Sequence, residues 1–288
     1  MRPGAFVDPG SEAVADDRRR ALAEISAVVG TRRDRVVLSR ESAAIVWGLP
    51  RFGPRPDRVE LADAVGTLPH NRGGIRWCRT PFDPTEVVEI HGFLVTGLVQ
   101  TLVDLACTRP FLSAVVALDA GIADAVRSDA GLEAPGADKE FLLQRLDEHG
   151  RRRGSPAARV AIGFADGASE SVGESLSRGR MHQLGFPAPT LQREFVRVDG
   201  LGVDRADFDW EEYGVFGEFD GETKYLDEAM RGGRTIERVL LAEKQRADRI
   251  RLGYGRRDAR WGWETARAPE RLFGTLRAAG LPLVSRAA

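Results

Sequence analysis

Cysteine is nearly absent from this chain of 288 residues: only Cys78 and Cys107 occur, far apart, and neither belongs to a pair with metal-ligand spacing. Neither a disulfide framework nor a structural zinc site is expected, and the expected compartment is a reducing cytoplasm. No run of about 18 apolar residues exists, and the N-terminus lacks the apolar stretch of a secretion signal, so no membrane span is expected. Histidine is scarce too. His70, His91, His149 and His182 are scattered, and no two have the spacing of a helical metal site or a nucleophilic dyad. Gly232-Gly233 is not followed by the lysine and serine of a phosphate loop, which argues against a nucleotide cofactor. Net charge is lacking as well, because 42 basic and 43 acidic residues nearly cancel. Only the local distribution of charge can therefore speak about nucleic acid.

At 288 residues two domains are expected, each able to bury a core. Met1 to Gly10 reads as the end of a β-hairpin, with something missing upstream. Residues 15–28 and 36–47 read as helices, the second capped by Ser39 and stopped by Gly48 and Pro50. Strands are expected at 57–62 and 74–79, then a hairpin over 86–96 turning at His91-Gly92. Two apolar helices at 98–107 and 110–126 complete an α+β unit, residues 1–126, without evident chemistry. Residues 127–154 read as a linker and connecting helix.

The second half, 155–288, begins with a helix at 155–165 and another over 169–178, the latter capped by Ser169 and carrying Glu170 and Glu174 one turn apart. Strands at about 192–198, 203–210 and 214–219 follow as a meander. A long helix over 235–252, a strand at 258–263 and a helix at 269–279 close the domain.

Chemistry concentrates at Asp204-Arg-Ala-Asp-Phe-Asp-Trp210 and Glu218-Phe-Asp-Gly-Glu-Thr-Lys-Tyr225. Alternation along a strand puts Ala206, Phe208 and Trp210 in the core and Arg205, Asp207 and Asp209 on the other face. On the next strand Glu218 and Asp220 share a face. If the strands pair, Asp207 meets Glu218 and Asp220. Converging carboxylates repel one another unless a hard cation neutralises them, and Mg2+ or Mn2+ is the expected cofactor. Lys224, past Gly221, is placed to stabilise charge developing on phosphorus, and Glu170 or Glu174 to add a ligand or a supporting contact.

From Asp199 through Glu228 there are eleven acidic and two basic residues, whereas Arg231 through Arg257 carries nine basic and three acidic. Such a step suits metal on one side and a nucleic-acid backbone on the other. In the basic helix Ile236, Leu240, Ala247 and Ile250 recur at core spacing, and Lys244, Arg246 and Arg249 are expected to touch phosphates. Each feature alone has a plain structural reading: an E-x-D ending a strand, helix-start acids, a solvated amphipathic helix. Trp210, Trp261 and Trp263 are expected to pack within strands rather than stack on bases. Order and spacing together favour a site.

On those residues the second half resembles the PD-(D/E)XK nuclease superfamily, in particular its very-short-patch-repair branch. The resemblance implies a restriction-endonuclease-like αβββαβ domain with a mixed sheet. It maps motif acids onto Glu170 or Glu174, Asp207, and Glu218 with Asp220. The superfamily lysine lies two residues after the acid, where this chain has Asp220; a literal motif occurs at Glu222-Thr-Lys224, so Glu222 is held in reserve as a ligand. The whole chain also resembles actinobacterial AbiEi-type antitoxins of type IV toxin-antitoxin systems, through Leu38-Ser-Arg-Glu-Ser-Ala-Ala-Ile-Val-Trp-Gly-Leu-Pro50 and Gly97-Leu-Val-Gln-Thr-Leu-Val-Asp-Leu-Ala106. That resemblance implies a winged helix upstream, of which Met1 to Gly10 would be the last part.

Two functions are therefore expected of such a chain. One is a divalent-metal-dependent DNA endonuclease or nickase, a hydrolase using Asp207, Glu218, Asp220, Lys224 and Glu174. The other is a non-catalytic antitoxin or DNA-binding regulator with a toxin partner.

Overall fold

The computed structural model describes residues 12–63, 73–79, 82–127, 133–221 and 236–284, with side chains throughout except at 12–16, 127 and 236–240. The chain divides into two compact units at Gly167/Ala168. Both mix helices with sheets, giving an α+β protein of two units.

The first unit contains α1 (Glu12–Gly30), β1 (Val37–Leu38), α2 (Arg40–Trp47), β2 (Val59–Asp63), β3 (Ile75–Arg79), β4 (Val88–Ile90) and β5 (Phe93–Val95). Its five-stranded sheet has the order β3-β2-β1-β5-β4. Ser39 stands at the N-cap of α2, although its hydroxyl makes no capping bond, and Gly48 ends the helix in the left-handed conformation. The β4–β5 hairpin turns at His91-Gly92, and both residues take positive φ, as a two-residue turn matched to the strand twist requires.

Then come α3 (Leu98–Thr108), α4 (Phe111–Ile122), the small hairpin β6 (Ala125–Arg127) and β7 (Glu133–Pro135), α5 (Lys139–Glu148) and α6 (Ser155–Phe164). The expected linker over 127–154 and boundary at 155 fall elsewhere. Leu142 and Leu146 of α5 and Ala158, Ala161 and Ile162 of α6 are buried in one core with Leu102, Val103 and Leu118 of α3 and α4. Burying those apolar faces makes both helices part of the first unit.

The second unit contains α7 (Val172–Leu184), β8 (Thr190–Val196), β9 (Val203–Trp210), β10 (Val215–Asp220), α8 (Ile236–Tyr254), β11 (Arg257–Gly262), α9 (Trp263–Arg267) and α10 (Pro269–Ala278). Up to β11 this is the order αβββαβ. The sheet order is β11-β10-β9-β8, with β10 and β11 parallel and the other pairs antiparallel. Phe208 stacks between Trp210 and Trp261, while Phe195, Ala206 and Phe216 join Ala247 and Ile250 of α8 in a second cluster. Trp261 donates to Ser177 of α7, and Trp210 to the Pro187 carbonyl. These two indoles therefore pack, as expected, but Trp263 opens α9 instead of ending a strand.

Candidate active site

Three elements converge at one end of the second sheet. The pairing of β9 with β10 runs from Val215↔Trp210 to Gly217↔Phe208, whereas β10 stays paired with β11 through Asp220↔Gly262. Where the β9 ladder stops, Asp207 takes over: its Oδ2 accepts the Phe219 backbone N–H at 2.8 Å. A carboxylate thus replaces a main-chain acceptor, satisfying a backbone donor that would otherwise be orphaned.

The third element is α7, and a glycine sets its approach. A Cβ on Gly173 would lie 2.0 Å from the Phe219 ring, so only glycine lets the helix close on β10. The next residue is Glu174. Its N-cap is Ser171, not the expected Ser169: the Ser171 Oγ accepts from the Glu174 N–H at 3.2 Å and donates to Glu174 Oε1 at 2.8 Å. Glu174 Oε2 accepts the Glu170 N–H at 2.9 Å and the Gln192 amide at 2.8 Å. This is a variant of the capping box in which the glutamate folds back past the N-cap to the N–H of the residue before it.

Glu174 is only 7 % exposed, and its carboxyl is pushed up to about 7 by burial and then by the negative charge of Asp207. Its hydrogen bonds oppose that rise only in part, because their donors are neutral.

Glu218 is deeper still, at 1 % exposure. Burial raises its pKa, and the guanidiniums of Arg246 and Arg260 act against the rise, with Asp207 adding to it. Arg246 Nη2 lies 2.9 Å from Glu218 Oε1, and Arg260 Nη2 contacts Oε2. Arg260 is the register partner of Glu218 on β11, and its other terminal nitrogen lies 3.7 Å from Asp220 Oδ1.

The expected site residues thus fall into groups. Glu174 and Glu218 each lie within electrostatic reach of Asp207, their shared neighbour. Asp220 stands at the end of β10 beside Arg260. Lys224 and Glu222 lie outside the described residues. Glu170 points away into a bidentate pair with Arg205, at 2.7 Å for both bonds.

The expected phosphate contacts on α8 are arranged differently from the expectation. Lys244 is exposed, but Arg246 faces Glu218, and Arg249 makes two 2.7 Å bonds to Asp204. Those bonds, with help from Arg197, hold the Asp204 carboxyl below its usual range. Ala247 and Ile250 are buried as expected, while the Ile236 and Leu240 side chains lie outside the described residues. Among the described residues, Arg246 and Arg249 of the basic block thus neutralise Glu218 and Asp204 of the acidic one.

Two residues of this cluster carry no motif signal. Arg260 could be found only by knowing that β11 lies parallel to β10. Gln192 is visible as an anomaly only in the backbone, at φ +50.

Among the described residues no group of three or more His, Cys, Asp or Glu side chains is arranged to hold a metal ion. The reason at this site is local: both Glu218 oxygens face guanidiniums. The Glu174–Asp207 pair is different, because a cation there would relieve a repulsion between like charges.

Two proteins of Mycobacterium tuberculosis, from strains CDC 1551 and H37Rv and both described as uncharacterized, are similar to this chain, each 29% identical over 164 residues. The alignment covers 56% of this chain and 52% of each relative, so the chain spans about half the length of the curated relatives it matches. No family model and no solved structure matches the chain.

Proposed function

We propose that the second unit is a divalent-metal-dependent DNA endonuclease or nickase of the restriction-endonuclease-like fold. The observation that carries the reading is the split between β9 and β10, where Asp207 replaces the ladder and stands within electrostatic reach of buried glutamates from α7 and β10. Folds rarely set like charges together in a desolvated place unless chemistry uses them.

Asp207, Glu218 and Asp220 would hold Mg2+ or Mn2+, and Glu174 would stand beside them. The ion would supply Lewis-acid polarisation of a phosphoryl oxygen. Glu174, lifted to about 7 by burial and by Asp207, is matched to exchange a proton near neutral pH at its Oε atoms. Gln192 and Ser171 orient that carboxyl. Lys224 is retained as a candidate for stabilising charge on phosphorus, with Glu222 as a reserve ligand. Lys244, exposed on α8, is the candidate for backbone contact.

A second reading is favoured by one observation, the pairing of Glu218 with two arginines. In that reading the unit holds nucleic acid without turnover, in a cytoplasmic AbiEi-like antitoxin or transcriptional regulator with a toxin partner. Incubating the protein with plasmid and short duplexes in Mg2+ or Mn2+, beside an Asp207→Ala, Glu218→Ala double variant, separates the two. Cleavage lost in the variant supports the enzyme; cleavage unchanged in the variant sinks the site; binding without cleavage under either cation favours the regulator.

A further inference from the structure

The ion pairs of the second unit are of two kinds. Arg205 with Glu170 and Arg249 with Asp204 are bidentate, each with two directed hydrogen bonds of 2.7 Å. That is the fork geometry in which guanidinium and carboxylate fit each other. Around Glu218 the charges are close, but neither arginine forms a bidentate pair with it. The contacts to the two Glu218 oxygens are poorly directed, and the Arg246 Nε is buried without a hydrogen-bond partner. A carboxylate 1 % exposed is thus held by two guanidiniums at ion-pair distance but by no fork-to-fork pairing, which leaves the guanidiniums with donor capacity for another oxyanion.

Both guanidiniums also reach solvent, with 31 % of the Arg246 side chain and 27 % of the Arg260 side chain exposed. Arg260 additionally touches Asp220 and Asp258, at 3.7 and 3.8 Å, so it bridges the end of β10 to the surface. Two arginines from different elements, α8 and β11, converge on one point. They present a positive, planar donor set of the kind that binds phosphate oxygens.

We propose that Arg246 and Arg260 form a phosphate-binding pair that holds Glu218 until a nucleic-acid backbone phosphate takes them, so that phosphodiester binding opens Glu218 to a divalent cation. This deepens the nuclease reading and rests on it for the cation half. Backbone phosphate and cation then bind with positive coupling, each drawing one side of the ion pair.

Two measurements on the full chain test the proposal. In the first, binding of a short duplex without divalent cation is followed by fluorescence anisotropy at fixed salt. Arg260→Gln and Arg246→Gln should each weaken binding about tenfold, and Glu218→Gln, which releases both arginines, should tighten it severalfold. A gain from Glu218→Gln cannot come from misfolding. Unchanged affinity in Glu218→Gln and Arg260→Gln overturns the proposal.

In the second, Mn2+ binding without nucleic acid is measured by calorimetry. The Arg246→Gln, Arg260→Gln double variant should bind at least tenfold more tightly than wild type. Equal Mn2+ binding by both overturns the latch and leaves the metal reading standing. No Mn2+ binding by either defeats the metal reading, and the duplex arm then decides the phosphate pair by itself.

Discussion

Each unit sets two carboxylates close together, Glu41 with Glu60 in the first and Glu174 with Asp207 in the second, and the two pairs are treated in opposite ways. In the first unit Glu41 and Glu60 are joined to three arginines. Arg109 lies 2.8 Å from Glu41 and 3.6 Å from Glu60, Arg51 3.5 Å from Glu41, and Arg76 3.6 Å from Glu60. The Glu41 N–H donates to Glu60, and the Ser42 hydroxyl accepts the Glu60 N–H. Burial raises the Glu41 carboxyl, and the positive charges of Arg109 and Arg51 oppose it. In the second unit the charges that act on Glu174 are those of Asp207 and Glu170, both negative. A fold that matches a buried acid with cations is building an internal tie; one that sets it against another acid leaves a deficit of positive charge for something else to fill.

The largest effect should come from breaking the balanced cluster. Arg109→Ala leaves two buried carboxylates short of their shared cation and should cost about 3–5 kcal/mol in urea unfolding at neutral pH. It should leave binding of duplex and Mn2+ unaltered. A loss below about 1 kcal/mol would mean that the cluster is not the tie described.

Removing charge from the unbalanced pair should do the reverse. The Glu174 carboxyl is raised from 4.5 to about 7, so the folded state binds more protons than the unfolded one across that window. Stability therefore falls as pH rises from 4.5 through 7. Glu174→Gln removes the penalty and should stabilise the protein at pH 8 by up to about 3 kcal/mol, with the gain fading to nothing near pH 4. Thermal melts of both proteins at the two pH values measure it. A variant destabilised equally at both would show that Glu174 acts through its hydrogen bonds and not through its charge.

The like-charge contact depends on how closely α7 approaches β10, and Gly173 sets that distance. Gly173→Ala drives a methyl group into Phe219 and should cost about 1–3 kcal/mol. It should also move Glu174 from Asp207, which carboxyl 13C titration would register as a fall in the Glu174 midpoint toward the ordinary range. An unchanged midpoint would detach the glycine from the site.

How much of this was legible follows from the range over which each feature acts. The order αβββαβ could be read because period and turn residues are local signals; β9 at 203–210 and the helix start near 170 lie within a few residues of expectation. Alternation put Asp207 and Asp209 on one face, and it took the motif order of the resembled family to single out Asp207. The boundary could not be placed, because the apolar face of α5 and α6 does not say which core it joins.

Charge was the most misleading signal. A basic helix beside an acidic strand pair reads as a surface for nucleic acid, yet Arg246 and Arg249 turn inward to Glu218 and Asp204. Arg260 stayed hidden because its partner is set by a parallel pairing 42 residues away in sequence. No local pattern encodes such a pairing.

Gln192 supports the smallest prediction and the finest division of the two kinds of glutamate. It sits opposite Asp207 between the register pairs Leu191↔Phe208 and Arg193↔Ala206, at a left-handed φ of +50, a conformation that costs a non-glycine residue about 1–2 kcal/mol. Its amide donates to Glu174 Oε2, and its own carbonyl oxygen is buried without a partner. Gln192→Gly relieves the backbone but removes a bond to a buried carboxylate, worth about 1.5–3 kcal/mol when the acceptor is charged and about half that when it is neutral. The variant should therefore be about 1 kcal/mol less stable than wild type at pH 8 and close to wild type at pH 5, where Glu174 holds its proton. A cost independent of pH would mean that Gln192 packs the strand and does not steady the carboxylate.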